Sequence, residues 1–592
     1  MKLAKRSNFN NKLAYWLLIN LLSFFSSALF ASSNPNIVLI LTDDLAWNSL
    51  SIYGNSYLKT PNIDKIGEKG LKFNFAYANP VCSSTRASLM TGKYATNVGI
   101  TGTTQAPVYT KAFLRTPPNR STIDHETNLL SHLLKGAGYI NGISGKWHLG
   151  HSYQIASVLV NQALGHSYFE SKGFDYVSNA REGNTNDKAV NAITSDLINF
   201  ITDHKDTTFF AFASHFTPHT NFDAPNSLIN KYVDLGFEKS STNKGVYEEI
   251  PSADYLAMIE HLDNSVGLLV DKLEELDLLD NTMIIFTSDN GAPNRVWDSS
   301  PLKNGKATLY EGGIRVPLLI QWPDGITPAT TCKEPVHLMD LYPTIAEMVS
   351  SSKSSEIDGE SLLPFFSEVN HQLSRESIFW HFPDYSPRFG QTPSSAILKY
   401  PYKLIYYYAD HLNSSGFTPM LNHPFGELVL EGKLELFNLE DDESEKRNLK
   451  DDMPSLTCDL LDELKALIDE NRGLLPYLNP EFSSTNWTET KKFTSQDSID
   501  FFADVTSAEQ LVCTRSIVKR VLFQQNGLFL NSPNFLIKSC RIFDLSGKLL
   551  FDQEKVNSKM LRLDINPKAS ILVYVISTTI GTWRYKKYYS RE

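Results

Sequence analysis

Short, uninterrupted apolar segments recur along the chain and predict buried strands. The clearest are residues 36–42, 208–214, 283–288 and 314–322, with a shorter one at 139–143. Such segments are typical of strands that are buried on both faces, because helices cover both sides of a parallel sheet.

Between these strands, apolar residues recur at the spacing of an amphipathic helix. In residues 254–276 they are Tyr255, Met258, Ile259, Leu262, Val266, Leu269, Leu273 and Leu276. Strands that alternate with helices predict an α/β domain, in which a mainly parallel central sheet is flanked by helices. We expect this domain to span residues 32–374.

The pattern changes after residue 374. Strands are predicted at residues 377–380, 402–408 and 434–438 and a helix at 456–471, which indicate a smaller α+β subdomain over residues 375–477. Residues 478–510 are polar and rich in Ser and Thr, so we expect a linker there. Strands predicted within 541–551 and at 570–577 indicate a small all-β domain over residues 511–592.

The N-terminus is typical of an export signal. Four basic residues within the first twelve precede a mostly apolar stretch at 13–30, and small residues follow up to Ala31. We expect a signal peptide over residues 1–31. A membrane anchor is the alternative, although the apolar stretch is short for a bilayer span and contains Asn20.

Composition narrows the function classes. The 592 residues include 55 Lys and Arg against 66 Asp and Glu, a net charge of −11, and no long basic run. Nucleic-acid binding is therefore not expected, and any anion site must be a local cluster of Lys, Arg and His. The five cysteines are too scattered for a disulfide framework, and their odd number leaves a free thiol, for which Cys82 is the candidate.

Three predicted strands end in residues that suit a metal ion or an anion. Ligands bind beyond the carboxyl ends of the strands in an α/β sheet, so the side chains that follow neighbouring strands converge at one edge. These side chains are Asp43 and Asp44, Asp289 and Asn290, and His215 and His219. Carboxylate and amide oxygens are the ligands that Ca²⁺ or Mg²⁺ prefers. For any one of these residues taken alone, the alternative is a structural role in a turn or a helix cap.

A second group of candidates suits an anion. Cys82 stands at the start of a predicted helix with Arg86 one turn later, where free backbone N–H groups and the helix dipole favour an anion and would activate a thiolate. The alternative is a structural buried cysteine. Lys146 and Lys306 each follow a glycine, in Gly-Lys-Trp-His and Asn-Gly-Lys-Ala, which is less typical of a solvated surface lysine.

Together these motifs resemble the formylglycine-dependent sulfatases of the alkaline phosphatase superfamily, over residues 35–471. The family motif Cys-x-Pro-Ser/Thr-Arg stands here as Cys82-Ser83-Ser84-Thr85-Arg86, with Thr91-Gly92 in register. The Asp-Asp, Gly-Lys-Trp-His, Pro-His, Ser-Asp-Asn-Gly and Lys-x-x-x-Tyr-Glu-Gly-Gly motifs appear in the family's order. Ser84 stands where the family usually has proline. In the family, that proline helps the maturation enzyme to recognise the cysteine.

The resemblance implies a sulfuric ester hydrolase in which a formylglycine-generating enzyme oxidises Cys82 to formylglycine. The hydrated aldehyde attacks sulfur and displaces the sugar alcohol, and its second hydroxyl then expels sulfate. The implied ligands of Ca²⁺, with Mg²⁺ as the alternative, are Asp43, Asp44, Asp289, Asn290 and the converted Cys82. The implied catalytic residues are Cys82, Arg86, Lys146, His148, His219 and Lys306.

The resemblance also suggests individual roles. Arg86 orients the nucleophile, His148 assists the breakdown of the sulfated intermediate, and either His219 or Lys306 protonates the leaving oxygen. The side chains expected around the sulfate are Lys146, His148, His219 and Lys306. The candidates for sugar contacts are Arg295, Trp297, His381 and Arg388. For each of them a surface or packing role is the alternative. For His215, a packed side chain is favoured over a substrate contact.

The C-terminal region carries a second resemblance. Residues 542–548, the strand at 571–576 and the terminal Lys586-Lys587-Tyr588 resemble the sorting domain of type IX secretion in Bacteroidetes, with a carbohydrate-binding or structural module as the alternative. This implies an enzyme secreted to the medium or the cell surface by the type IX machinery. Extracellular bacterial sulfatases mostly serve polysaccharide breakdown, so we expect a sulfated carbohydrate substrate, for example an algal polymer.

Two other functions remain open. A phosphomonoester or phosphonate hydrolase uses the same superfamily fold and even the same modified cysteine, although the two lysine motifs favour a sulfatase. A non-catalytic glycan-binding protein on the sulfatase scaffold has only Ser84 as its support.

Overall fold

The computed structural model describes residues 34–103, 108–120, 122–150, 163–178, 186–240, 251–349, 356–412, 428–430 and 432–491, and seven strands between residues 520 and 588. The predicted signal peptide and residues 492–510 of the predicted linker lie outside the described residues. Among the described helices, none combines the length and the hydrophobicity that a bilayer span requires.

The described part of the chain contains a nine-stranded central sheet. In chain order its strands are β1 (Asn36–Thr42), β2 (Leu71–Tyr77), β3 (Ile140–Gly145), β4 (Tyr176–Val177), β5 (Phe209–Ser214), β6 (Thr282–Ser288), β7 (Arg315–Gln321), β8 (Thr330–Cys332) and β9 (Val336–His337). The spatial order is β8-β2-β7-β6-β1-β5-β3-β4, and β9 also pairs with β2. Neighbouring strands are parallel except at β7, which runs antiparallel to both β2 and β6.

The central strand β1 shows why its sequence is apolar throughout. Ile37, Leu39 and Leu41 enter the core on one face of the sheet, while Val38 and Ile40 enter the core on the other. Successive side chains of a strand point to opposite faces, so a strand covered on both sides needs apolar residues at every position. The prediction of an α/β fold with a mainly parallel, helix-flanked sheet is confirmed.

Helices cover both faces of this sheet. In chain order the described helices are α1 (Pro61–Glu68), α2 (Cys82–Thr91), α3 (Ala95–Val98), α4 (Leu130–Gly136), α5 (Ala163–Glu170), α6 (Val190–Asp203), α7 (Asn226–Asp234), α8 (Ala253–Glu275), α9 (Glu311–Ile314), α10 (Leu341–Met348), α11 (Pro364–Ser367) and, in the smaller subdomain, α12 (Pro454–Glu470). Helices α1, α6 and α8 contribute to one core and α2, α4 and α10 to the other. Helix α8 begins after Ser252, whose hydroxyl accepts the backbone N–H of Tyr255 at 3.3 Å.

The smaller subdomain consists of an antiparallel sheet and α12. Its strands, in spatial order, are β10 (Ile378–Phe382), β11 (Ser394–Lys399), β12 (Tyr402–Tyr407) and β13 (Lys433–Asn438). A third core joins this sheet and α12 to the α/β domain, since Tyr77, Leu114 and Ile314 pack with Trp380 and Leu464. The two parts therefore share buried apolar surface, which fixes the subdomain beside the carboxyl edge of the central sheet.

The chain then returns to the α/β domain. Tyr477–Leu478 pairs with Leu114–Arg115, and Thr490–Lys491 pairs with Val108–Tyr109. The linker predicted from residue 478 therefore begins with a segment that pairs with the α/β domain.

The C-terminal strands form two antiparallel sheets. Arg520–Gln524, Gly527–Asn531 and Met560–Leu563 form one sheet, and the other contains Leu549–Ser558, Ile537–Phe543, Ile571–Thr578 and Thr582–Tyr588. The prediction of a small all-β region at this end of the chain is confirmed.

Candidate active site

Three neighbouring strands bring the predicted metal and anion residues to one edge. In the sheet, Leu41 of β1 lies beside Ser214 of β5, and Thr42 lies beside Ser288 of β6. The residues that follow each strand are therefore adjacent in space, as the sequence predicts. Asp44 has a φ of 66°, in the left-handed region that is unfavourable for most side chains, so the turn that holds it is conformationally constrained.

Each carboxylate at this edge faces one cation. Lys146 Nζ lies 2.6 Å from Asp43 Oδ2, and Lys306 Nζ lies 2.6 and 2.8 Å from the two oxygens of Asp44. The network is completed by Arg86, whose Nε and Nη2 lie 2.9 and 2.8 Å from Asp289 Oδ2. These six side chains are buried, and their formal charges sum to zero. Burial alone would raise the pKa of Asp43, but Lys146 and its neighbours hold that pKa well below its ordinary value.

Helix α2 aims Cys82 and Arg86 at the same place. Residues four apart lie on one face of a helix, so the first residue and Arg86 face the carboxylates together. Arg86 is held by two further hydrogen bonds from Nη1, to the carbonyl oxygen of Lys146 at 2.8 Å and to Ser214 Oγ at 2.6 Å. Arg86 therefore ties α2, β5 and the segment after β3 into one rigid support.

Cys82 is a buried thiol at the amino end of this helix. Its Sγ lies 3.1 Å from Nδ1 of His148, a residue that adopts a φ of 59°. Burial raises the pKa of Cys82, although Lys146 and Lys306 act in the opposite direction. An unmodified Cys82 is therefore a thiol rather than a thiolate near neutral pH, and it lacks the nucleophilicity of an activated cysteine.

Two histidines complete the polar wall. His148 is partly buried, and its desolvation together with the nearby Lys146 and Arg86 holds its pKa well below its usual range. His219 lies at the more open side of the site, with 24% of its side chain exposed and Nε2 3.7 Å from Asp44 Oδ2. Its Nδ1 lies 3.3 Å from the carbonyl oxygen of Thr220, a contact that suits an N–H group at Nδ1, and its Nε2 faces the carboxylates.

The donor set fits a hard divalent cation. One ligand atom each of Asp43, Cys82 and Asp289 lies within 4.8 Å of the others, and so do atoms of Asp43, Asp44 and His219. Among the described residues, no hydrogen-bond donor reaches Asp43 Oδ1 or Asn290 Oδ1, although both oxygens are buried. Burial and the nearby Asp43 raise the pKa of Asp289 to about 6, a penalty that a bound cation would remove. The residues present therefore fit Ca²⁺ or Mg²⁺.

The candidates for sugar contacts lie in different environments. Arg295 is partly buried, with its guanidinium carbon 5.3 Å above the ring of Phe389, while Arg388 is exposed. Trp297 is buried in a core and its Nε1 donates to Asn48 Oδ1 at 2.7 Å, so the structure supports the packing role rather than a sugar contact. His381 is also buried, and its ring nitrogens face Ser395 Oγ and the carbonyl oxygen of Leu474.

His215 is a packed side chain, which is the reading that the sequence favours. It is fully buried, and burial lowers its pKa to about 3. Within the described part of the chain, neither of its ring nitrogens has a hydrogen-bond partner.

Two supporting residues were not predicted. Ser214 Oγ links Arg86 to the carbonyl oxygen of Lys146. Lys188 is buried, and its Nζ donates to the carbonyl oxygens of Thr220 and Asn221, at 2.8 and 3.0 Å, directly after His219. The position of Ser214 at the end of an apolar strand was a usable signal, but no sequence motif marks Lys188.

Comparison with known proteins agrees with this arrangement. Residues 35–351 match the family model described as Sulfatase, and residues 304–416 match the model of the N-sulphoglucosamine sulphohydrolase C-terminal region. A sulfatase of Formosa agariphila is 28% identical over 558 residues, which cover 79% of this chain and 95% of the relative. Human N-acetylgalactosamine-6-sulfatase is 31% identical over 380 residues, covering 59% of this chain and 69% of the relative.

A solved structure has a fold similar to that of this chain. The crystal structure of Ps i-CgsB in complex with k-i-k-neocarrahexaose has a TM-score of 0.57 and 24% sequence identity. The match covers 77% of this chain and 97% of that structure.

Proposed function

Because the chain belongs to the sulfatase family and is a sulfuric ester hydrolase, we propose that it removes sulfate esters from sulfated carbohydrates by means of a formylglycine made from Cys82. One observation carries the proposal. The Cys82 side chain lies at a helix N-terminus, within 4.8 Å of Asp43 and Asp289, two carboxylates that suit a cation. Two lysines also belong to this site: Lys146 pairs with Asp43, and Lys306 pairs with the neighbouring Asp44.

The substrate class is inferred from a relative and from a protein of similar structure. The human relative is named for N-acetylgalactosamine 6-sulfate, and the structural neighbour was crystallised with a carrageenan oligosaccharide. Both ligands are sulfated carbohydrates, and we propose the same class here, with a polysaccharide or its oligosaccharides as the natural substrate.

The state of Cys82 supports the conversion to formylglycine. Because burial raises the pKa of the thiol, the unmodified side chain is a poor nucleophile, whereas hydrated formylglycine supplies a hydroxyl group for attack on sulfur. Ser84 is compatible with the helical turn in which proline is usual, since its Oγ donates to the carbonyl oxygen of Val81 at 2.8 Å. The local fold therefore does not depend on proline at this position.

The remaining side chains then have specific tasks. Lys146 and Lys306 would bind the sulfate oxygens and stabilise the charge that develops in the transition state. His219 or Lys306, which both approach Asp44, would protonate the leaving oxygen, and His148 beside Cys82 would assist release of sulfate. Arg86 would hold the nucleophile in line, and Arg295, which follows the Asp289–Asn290 motif, would contact the sugar.

A divalent cation completes the proposed site. Asp43, Asp44, Asp289, Asn290 and the converted Cys82 would hold Ca²⁺, or Mg²⁺, which supplies Lewis-acid polarisation of the sulfate when it is bound. Since the three carboxylates are already balanced by three cations, the cation would leave the site positive for an anionic ester.

We also propose that the enzyme acts outside the cell. The support is the basic and apolar segment at residues 1–31 and the resemblance of residues 511–592 to a type IX sorting domain. On this proposal, a formylglycine-generating enzyme converts Cys82, and the type IX machinery exports the protein.

The test is sulfate release from a panel of sulfated algal and animal polysaccharides and their oligosaccharides. The protein is co-expressed with a formylglycine-generating enzyme, and Cys82→Ala is assayed beside Cys458→Ala, which removes an exposed thiol instead. We expect release by the wild type and Cys458→Ala and none by Cys82→Ala. Mass spectrometry of residue 82 and a matched pair of aryl sulfate and aryl phosphate complete the experiment.

The outcomes separate the alternatives. A preference for aryl phosphate over aryl sulfate identifies a phosphomonoester or phosphonate hydrolase. Residue 82 left as cysteine in protein from the native host, together with glycan binding and no hydrolysis, identifies a non-catalytic binding protein.

A further inference from the structure

The turn that presents Asp44 to the candidate cation site has a backbone conformation that its residue type does not favour. The φ of 66° at Asp44 lies in the left-handed region, where a Cβ crowds the backbone. The backbone N–H of Asp44 lies 3.3 Å from Asp289 Oδ1, which is long for a hydrogen bond. That contact is a weak restraint, so other groups must hold the turn.

Ser288, the last residue of β6, provides one such restraint. Its Oγ accepts the backbone N–H of Leu45 at 3.0 Å and donates to the carbonyl oxygen of Asn290, also at 3.0 Å. The single hydroxyl hydrogen is thereby used. The fully buried Ser288 thus joins the turn that carries Asp44 to the turn that carries Asn290.

The turn after β6 is the fixed side of this connection. The backbone N–H of Gly291 donates to the carbonyl oxygen of Gly313 at 3.0 Å. A Cβ on Gly291 would lie 1.9 Å from the carbonyl oxygen of Gly312, so only glycine allows this close packing against α9. Since the turn at Asn290 cannot shift easily, Ser288 fixes the turn at Asp44 relative to it.

Tyr255 of α8 provides a second restraint. Its hydroxyl donates to the carbonyl oxygen of Asp44 at 3.3 Å. The ring of Tyr255 is fully buried and lies 5.4 Å from the rings of both Phe222 and Trp297, so the donor itself is held in place.

The two turns also meet through their side chains. Asn290 Nδ2 donates to Asp44 Oδ1 at 2.7 Å. This leaves Asn290 Oδ1 as an acceptor that no donor reaches in the described part of the chain. The orientation of both ligand side chains therefore depends on the alignment of the two turns.

We propose that Ser288 and Tyr255 are positioning residues of the cation site, which hold the turns of its ligands in place before a divalent cation binds. The inference rests on the proposed function, which assigns the cation to these turns. The hydroxyl of Ser288 is engaged by backbone groups on both sides, so it supports the ligands rather than coordinating the cation. Ligands that are already in place bind a cation more tightly, because binding then has no turn to order.

The test measures cation affinity without a substrate. The full chain is co-expressed with a formylglycine-generating enzyme and stripped with a chelator, and the Kd for Ca²⁺ and for Mg²⁺ is measured by isothermal titration calorimetry. Ser288→Ala should raise the Kd about 10- to 100-fold, as the loss of groups that support metal ligands does. Tyr255→Phe keeps the ring and removes one neutral hydrogen bond, so it should raise the Kd about three- to tenfold.

Thr344→Val is the matched control. Thr344 Oγ1 also accepts a backbone N–H, from Leu362 at 2.8 Å, and donates to a carbonyl oxygen, that of Asp340 at 2.6 Å. The residue is buried, and Asp340 pairs with Arg375 rather than with a residue of the cation site. We expect Thr344→Val to lower the thermal midpoint as Ser288→Ala does, but to leave the cation Kd within about twofold of the wild type.

Activity provides a second readout. At limiting Ca²⁺, Ser288→Ala should hydrolyse 4-nitrophenyl sulfate more slowly than the wild type, and excess Ca²⁺ should restore most of the lost kcat/KM. A general defect in folding would not respond to Ca²⁺ in this way. The activity of Thr344→Val should depend on the Ca²⁺ concentration as that of the wild type does.

The outcomes are separable. A cation Kd within about twofold of the wild type for Ser288→Ala and Tyr255→Phe, or an equal increase for Thr344→Val, would overturn the positioning role and leave the proposed function intact. If Ser288→Ala does not fold, Tyr255→Phe decides the question. No binding of Ca²⁺ or Mg²⁺ by the wild type would remove the cation from the proposed function, and this role with it.

Discussion

In the part of the chain that the structure describes, two buried networks of lysines and carboxylates differ in how their oxygens are satisfied. In the first, Lys403 lies 2.9 Å from Glu311 Oε1 and 2.9 Å from Glu445 Oε1. The other oxygens of these glutamates are close to donors as well, to the hydroxyl of Tyr77 at 3.0 Å and to the backbone N–H of Glu311 at 2.8 Å. We call this set the interface network, because it joins α9 to the smaller subdomain.

The second network is the candidate active site, in which Asp43, Asp44 and Asp289 face Lys146, Lys306 and Arg86. Within the described chain, Asp43 Oδ1 and Asn290 Oδ1 have no hydrogen-bond donor. In the interface network Glu445 Oε1 also lacks a hydrogen bond among the described residues, but Lys403 Nζ lies 2.9 Å from it, whereas the unsatisfied oxygens of the active site belong to side chains that converge on a possible cation site. Burial of charge alone therefore does not identify a functional site, and unsatisfied buried oxygens that converge on one place are the more informative sign.

The largest effect is expected in the interface network. Lys403→Met leaves two buried carboxylates without their cation, and we expect the free energy of unfolding to fall by about 3–5 kcal/mol. Urea denaturation measures the change. Lys399→Met, which removes an exposed lysine from its pairs with Glu376 and Glu463, should cost less than about 1 kcal/mol. Similar effects of both variants would refute the importance of the buried network.

The matching change in the active site should affect activity more than stability. Lys146→Met removes a cation expected at the sulfate, so kcat/KM on 4-nitrophenyl sulfate should fall about 10²- to 10³-fold. With divalent cation bound, the loss of unfolding free energy should be smaller than for Lys403→Met, because the cation still neutralises Asp43. Lys135→Met, an exposed control on the same domain, should change neither quantity. Loss of stability without loss of activity would contradict this role.

Removal of the cation should affect the active site and leave the interface network unchanged. A cation present at about a hundred times its Kd stabilises the folded state by about 2.7 kcal/mol, so chelation should lower the thermal midpoint of the wild type and abolish hydrolysis. Lys403→Met should show the same further decrease, since distant sites act independently. Asp43→Asn should show little or none. A wild-type midpoint that chelation does not change would argue against a resident cation.

The smallest effect concerns the support of His219. Lys188 holds the carbonyl oxygens of Thr220 and Asn221, so Lys188→Met should let the loop shift and lower kcat/KM about tenfold, or about 1.4 kcal/mol. Lys188→Arg should recover part of the activity, which a purely structural defect would not explain. Lys231→Met serves as the exposed control, since it removes a surface pair with Glu260 and a contact with the ring of Tyr232. Equal activity of Lys188→Met and the wild type would exclude the positioning role.

Much of the fold was predictable because the central strands are buried on both faces. The helix expected at residues 254–276 is Ala253–Glu275, and the one expected at 456–471 is Pro454–Glu470. Strand β2 was not predicted, since it lies toward one side of the sheet and alternates Lys72 and Asn74 with apolar residues. The reversed direction of β7 also leaves no mark on its sequence, because an antiparallel strand within a buried sheet needs the same apolar residues.

The sequence by itself determined which residues are candidates for the site. Asp43, Asp44, Asp289 and Asn290 follow buried strands, Cys82 begins a helix, and Lys146 and Lys306 stand in short glycine motifs. Local patterns encode these positions, because strand ends and helix starts are set by neighbouring residues. Only the tertiary structure decided which groups are satisfied. It buried Trp297 and His381, placed Lys188 behind His219, and left Asp43 Oδ1 and Asn290 Oδ1 without a hydrogen-bond donor among the described residues. These outcomes depend on contacts between residues far apart in the chain, and no local pattern records whether a buried oxygen meets a donor.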